Sequence, residues 1–116
     1  WKWYRQFFGV NVRVFEEAAD APLMTRYTGG KVHSRTATLA LSMDGGGGFE
    51  IWQFTSRPTE KATFDIQLGD FGLYACRIKS RNVQASFEYF KANGAEILGD
   101  LQTAPNGEQS FFAKDP

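Results

Sequence analysis

The pattern of hydrophobic and polar residues predicts the same helix-to-strand unit at two places in the chain. In residues 1–8 the aromatic side chains recur at a helical spacing, and Gly9 follows at a position suited to end a helix. A second helix is predicted over 83–93, with Asn82 as its N-cap and Gly94 at its end. Each helix is followed by apolar and polar residues in alternation, which is typical of a half-buried strand. We therefore expect one unit that occurs twice.

Further alternating segments complete the two units. Residues 36–43 predict a strand with one buried face, and 16–34 predict a long polar connection of the kind that forms lids or is disordered. The second helix is expected to bury Val83, Phe87 and Phe90 as one stripe. The predicted strands are 10–15, 36–43, 49–54, 71–79, 95–98 and 108–113.

Overlaying the two units gives an α+β architecture of paired βαβββ modules. The first module spans 1–54 and lacks its leading strand, whereas the second spans 69–116 and lacks its final strand. Residues 55–68, which include Pro58 and several charges, are expected to link them.

Composition narrows the classes of partner. The 13 Lys and Arg residues balance the 13 Asp and Glu residues, so no net charge attracts a nucleic acid. No apolar stretch approaches the roughly 20 residues of a membrane span. Cys76 is the only cysteine and has no partner for an internal disulfide, which fits a reducing compartment, and we expect a cytoplasmic protein. The 11 Phe residues predict a Phe-rich core, a Phe-lined cavity or both.

Short motifs in a fixed order resemble the vicinal oxygen chelate superfamily, which includes glyoxalase I, bleomycin resistance proteins and extradiol dioxygenases. The resemblance implies that the two modules form a curved mixed sheet around a cup. It also implies a homodimer, because many members of the family are dimers. The motifs are Trp3-Tyr4-Arg5-x-x-Phe8-Gly9, Gly48-Phe49-Glu50-Ile51, Phe87-x-x-x-Lys91-Ala92-x-Gly94-Ala95-Glu96 and Phe111-Phe112-Ala113-Lys114-Asp115-Pro116.

The same resemblance implies one divalent metal ion, Zn, Ni, Mn or Fe, held by residues of the first and fourth strands of each module. Such a metal polarises substrate oxygens as a Lewis acid. Glu50 matches one of these positions and is expected to be a metal ligand or a general base. Leu73 occupies another, where metal-binding members usually have His or Gln, and leucine cannot bind a metal.

Three further residues are expected to line the cup. Trp52 and Phe54 share the face of Glu50 because side chains alternate along a strand. Arg77 has two interpretations: it points inward, where a guanidinium binds a carboxylate or a phosphate, or it reaches water at the rim of the sheet. His33, the only histidine, has two interpretations: a loop residue without a role, or a residue of a closing loop that contacts substrate.

The sequence leaves three functions open. One is a glyoxalase-like, metal-assisted lyase or isomerase that acts on a small oxygenated metabolite, and Glu50 favours it. Another is a non-catalytic, drug-sequestering binding protein of the bleomycin resistance type, and Leu73 favours that. The third is a module that serves only dimerisation.

Overall fold

The computed structural model describes residues 1–44, 47–67, 69–72 and 74–116. The chain forms two compact units, Trp1–Asp65 and Ile66–Pro116. Both combine a short α-helix with an antiparallel sheet, so the predicted α+β class is confirmed. Unit 1 contains α1 (Lys2–Phe8), β1 (Val12–Asp20), a 3₁₀ helix (Pro22–Tyr27), β2 (Ser34–Ser42) and β3 (Gly47–Phe54), and unit 2 contains α2 (Val83–Ala92), β4 (Glu96–Thr103) and β5 (Gln109–Lys114).

The sheet of unit 1 has the order β1-β2-β3, and all of its pairs are antiparallel. Residues directly opposite each other in such a sheet point to the same face. Ala37 lies opposite Glu17 on one side and Trp52 on the other. Leu39 lies in the same way between Phe15 and Glu50. The register therefore places residues from three strands on one face, which we call the Glu50 face.

Helix α1 packs on the opposite face. The ring centroid of Phe49 lies 4.6 Å from that of Tyr4 and 5.5 Å from that of Phe8. Ala40 is the register partner of Phe49 and is fully buried. Gly9 ends the helix in the left-handed conformation, with φ 61°, as predicted. The aromatic residues of α1 thus belong to the packing of this face and leave the Glu50 face free of the helix.

Two predictions about strand burial are wrong. Ala37 and Ala40 point to opposite faces of β2 and are both fully buried, whereas the sequence predicted one buried face. A central strand is covered on both sides here, by α1 and by the large side chains of the Glu50 face. The predicted half-buried strand at 10–15 begins at Val12, and Val12 and Val14 are exposed because β1 lies at the edge of the sheet.

The predicted connection over 16–34 is wrong at its ends, because residues 16–20 and Ser34 belong to strands, whereas 21–33 do connect β1 to β2. Strand β1 continues to Asp20, and its polar residues pair with β2, as Glu16 does with Thr38. Polar side chains are compatible with an exposed edge strand. The polar composition of residues 16–20 therefore led to a predicted end of β1 that was too early. The 3₁₀ helix follows, and the amide of Ala21 donates a hydrogen bond to the carbonyl of His33, which closes the connection.

Unit 2 confirms its predicted helix and hairpin. The side-chain oxygen of Asn82 accepts a hydrogen bond of 2.9 Å from the amide of Ala85, so Asn82 is the N-cap. Phe87 and Phe90 are buried. Their ring centroids lie 5.4 Å and 5.3 Å, respectively, from the ring centroid of Phe111 in β5. Gly94 has φ 78°, which suits the end of α2.

The predicted strand at 71–79 is wrong for its described residues, since 71–72 and 74–79 lie in no strand. Alternation supplies only a propensity, and a strand also needs a neighbour to pair with. Among the described residues, β4 and β5 pair only with each other. Leu73 lies outside the described residues. Across the described residues, no helix is both long and apolar enough to cross a membrane.

Candidate functional site

The Glu50 face carries a row of interacting polar and aromatic side chains that spans all three strands of unit 1. Glu17 comes from β1, Arg35 from β2, and Glu50 and Trp52 from β3. We call these four residues the Trp52 array. The strand period of two and the antiparallel register bring them to one face, so their proximity follows from the pairing of the sheet.

Arg35 joins the first and third strands of the array. Its Nη2 atom donates to Oε2 of Glu17 at 3.1 Å, and Nη1 donates to the Glu17 carbonyl at 3.3 Å. Its Cζ atom lies 4.7 Å from the centroid of the Trp52 ring, a cation–π distance. The Arg35 side chain is only 12% exposed, whereas that of Glu17 is 58% exposed. The Arg35 guanidinium is thus held between a carboxylate and an indole.

Trp52 and Glu50 form the exposed end of the array. The indole Nε1 donates a hydrogen bond of 2.6 Å to Oε1 of Glu50. Trp52 remains 41% exposed, and Glu50 is exposed as well. An indole N–H only donates and an ionised carboxylate only accepts, so the bond fixes the orientation of both side chains. Together they present an aromatic surface beside a negative charge.

Phe54 continues the same face at the end of β3. The His33 ring meets the Phe54 ring edge-on, with centroids 6.2 Å apart at 81°. His33 is held in turn, since its Nδ1 atom lies 2.9 Å from Oγ of Ser56, which also accepts from the amide of Ser34 at 2.9 Å. The two interpretations of His33 stay open, but its ring lies against a predicted ligand-contacting residue.

Arg77 lies in unit 2, in the segment that forms no strand. Its Nη2 atom is 3.7 Å from Oε2 of Glu108, and both side chains are mostly exposed, at 82% and 65%. The inward orientation that the sequence suggested depended on the absent strand and has lost that support. A role for Arg77 in ligand binding stays a prediction.

The donor set of the described residues does not by itself form a metal centre. No group of three or more His, Cys, Asp and Glu side chains comes together there. On the Glu50 face, the carboxylate of Glu17 is paired with Arg35, and one oxygen of Glu50 is bonded to Trp52. The metal expected from the resemblance therefore stays a prediction, and Leu73 cannot be placed relative to it.

The sequence predicted that Glu50, Trp52 and Phe54 share one face, which the register shows, but it did not predict that Glu17 and Arg35 lie beside them. Glu17 fell in the segment predicted as a connection, and Arg35 lay one residue before a predicted strand. The available signal was the alternation itself, because extending β2 backwards from Ala37 puts Arg35 on the face of Ala37 and Leu39.

Comparison of the sequence with protein-family models finds a match over the length of the chain. The model of the Glyoxalase/Bleomycin resistance protein/Dioxygenase superfamily matches residues 1–116. Neither a search of curated proteins nor a search of solved structures returned a match. The α+β fold agrees with that family assignment. The chain belongs to the Glyoxalase/Bleomycin resistance protein/Dioxygenase superfamily.

Proposed function

We propose that the chain is a small-molecule binding protein whose Trp52 array holds a planar aromatic cation. The observation that carries the proposal is the hydrogen bond of 2.6 Å that fixes an exposed indole beside an exposed carboxylate. An aromatic ligand gains from stacking on the indole, and a positive charge on that ligand gains from Glu50. This corresponds to the drug-sequestering alternative of the sequence analysis.

The charge balance of the array favours a cation over an anion. Arg35 and Glu17 form an ion pair at 3.1 Å and offset each other. Glu50 keeps its negative charge, because its partner, the Trp52 indole, is neutral. Arg35 also covers one side of the indole, so the ligand is expected to use the exposed remainder of the ring.

Calorimetric titration with two probes of similar shape tests the charge requirement. N-methylquinolinium, a planar cation, is expected to bind the purified protein more tightly than 2-naphthoate, a planar anion. Glu50→Gln should weaken N-methylquinolinium binding by about fivefold, the magnitude of a partly exposed charge interaction. Glu16→Gln is the matched control, since Glu16 points to the other face opposite Thr38. Equal affinity for the two probes, or equal loss in both variants, would contradict the proposal.

A metal-assisted lyase or isomerase acting on a small oxygenated metabolite is the second candidate. One observation favours it: Glu50 is exposed at the expected ligand position, and its Oε2 atom makes no hydrogen bond within the described part of the chain. The described residues supply only this carboxylate, so we derive no catalytic step. Elemental analysis tests it, because substoichiometric metal in the purified protein, unchanged in Glu50→Gln, would sink the candidate.

The finer architecture is also a proposal. Both units contain a helix followed by antiparallel strands, which supports paired βαβββ modules around a cup. The edge strand β1 leaves Val12, Val14 and Phe15 exposed, which supports a homodimer in which the edges are covered. Sedimentation of the purified protein measures the oligomeric state. The cytoplasmic location stays a prediction.

A further inference from the structure

Unit 1 contains a cleft beyond the Trp52 array. Its volume is about 310 Å³, near the lower end of the range of small-ligand sites. Its walls come from the 3₁₀ helix, the end of β3 and the segment that follows β3. The residues that line it are Met24, Tyr27, Thr28, Phe54, Arg57, Thr59 and Glu60.

Hydrogen bonds hold the 3₁₀ wall of this cleft and the start of the opposite wall. Oγ1 of Thr28 donates to the carbonyl of Lys31 at 2.6 Å and lies 3.2 Å from that of Met24, which holds the end of the 3₁₀ helix. Across the cleft, the amide of Thr55 donates to the carbonyl of Ser34 at 2.8 Å. Oγ of Ser56 makes the hydrogen bonds to the Ser34 amide and the His33 ring that are described above. The 3₁₀ wall and residues 55–56 are therefore held before a ligand binds, which lowers the entropic cost of binding there.

Two opposite charges line the cleft without neutralising each other. Arg57 and Glu60 make no ion pair with each other, nor a side-chain hydrogen bond or ion pair with any other residue that the structure describes. An arginine fork suits a carboxylate, and a glutamate suits an ammonium group. Beside these charges, Met24, Tyr27 and Phe54 provide an apolar wall.

We propose that this cleft binds a small zwitterion that carries an apolar group, of the size and chemistry of a free aromatic amino acid. Arg57 contacts its carboxylate, Glu60 its ammonium group, and the three apolar side chains its ring. The volume suits a small ligand, and the two charges select against molecules that carry only one. This inference does not depend on the function proposed for the Trp52 array.

The two methionines of the chain provide a built-in control for the experiment. Met24 lines the cleft, whereas Met43 lies 74% exposed in the turn after β2. NMR of protein labelled at the methionine methyl groups therefore gives one signal from the cleft and one reference signal. Titration with L-phenylalanine is expected to shift the Met24 signal saturably and to leave the Met43 signal in place.

Ligand analogues that lack one charge, and protein variants that lack one charged side chain, make the test specific. L-phenylalanine should bind about fivefold more tightly than 3-phenylpropanoate or phenethylammonium, each of which lacks one charge. Arg57→Gln should weaken 3-phenylpropanoate but not phenethylammonium, and Glu60→Gln should do the reverse. Lys61→Gln is the matched control, because Lys61 is adjacent in sequence but does not line the cleft.

The outcomes separate this inference from the proposed function. Trp52→Phe should leave the Met24 shift unchanged, because Trp52 does not line the cleft. Absence of a saturable Met24 shift, equal shifts of Met24 and Met43, or equal losses in Arg57→Gln and Lys61→Gln would each overturn the proposal.

Discussion

The indole Nε1 of Trp52 and the Oε1 of Glu50 are joined by a hydrogen bond of 2.6 Å between residues two positions apart on one strand. Because side chains alternate along a strand, the two residues share a face, and the bond fixes their relative orientation. Glu50 is thereby coupled to an aromatic ring that is itself covered on one side by Arg35. The carboxylate expected from the family resemblance thus belongs to an extended array that reaches β1.

Arg35→Gln tests whether the array stabilises unit 1. The change removes the ion pair with Glu17 and the contact with Trp52, and we expect a loss of about 1–2 kcal/mol in the free energy of unfolding. Urea denaturation followed by tryptophan fluorescence measures it, since all 3 Trp residues lie in unit 1.

Arg13→Gln is the matched control for Arg35→Gln. Arg13 forms a similar ion pair with Glu16 at 3.2 Å, but its side chain is 59% exposed. Water screens such a pair, so the expected loss is below about 0.5 kcal/mol. Equal losses in the two variants would show that the burial of Arg35 adds nothing.

Asn82→Ala tests the cap of α2. It removes the acceptor for the Ala85 amide, and a lost N-cap costs about 1 kcal/mol. Unit 2 contains no tryptophan, so thermal unfolding followed by circular dichroism is the suitable measurement. Asn82→Ser should keep most of the stability, because serine also accepts this bond. A Ser variant as unstable as the Ala variant would argue against the cap.

Gly48→Ala tests the close pairing of β2 and β3 beside Glu50. A Cβ atom at Gly48 would lie 2.5 Å from the carbonyl oxygen of Ala40, which is backbone and cannot move away easily. We expect a loss of about 1–3 kcal/mol by urea denaturation. At Gly47 a Cβ meets nothing within 4 Å, so Gly47→Ala should be close to neutral. A neutral Gly48→Ala would contradict the register described for this hairpin.

Local signals predicted the elements that depend on local physics. Asn82 caps α2, Gly9 ends α1, and Phe87 and Phe90 are buried, because capping, left-handed glycine and helical spacing are properties of neighbouring residues. The segment 71–79 shows the opposite case. Its alternation favoured a strand, but strand formation depends on a partner that the local sequence does not specify.

The residues of the candidate site also fall into those that one strand predicts and those that depend on strand pairing. Glu50 was predicted from the family resemblance, and Trp52 and Phe54 were placed on its face by the strand period of two, which the structure shows. Glu17 and Arg35 join them only through the pairing of β1 with β2, and the strand predicted over 10–15 ended before Glu17. Register is set between strands, so the charged neighbours of a residue on other strands are not predictable until the pairing is known.

Tryptophan fluorescence titration with N-methylquinolinium in the presence of a metal chelator tests the central claim most directly. The proposed binding function predicts saturable quenching that the chelator does not change. It also predicts that the saturable component disappears in Trp52→Phe, which leaves Trp1 and Trp3 as reporters of non-specific quenching. Quenching that never saturates, that persists in Trp52→Phe, or that the chelator abolishes would contradict it.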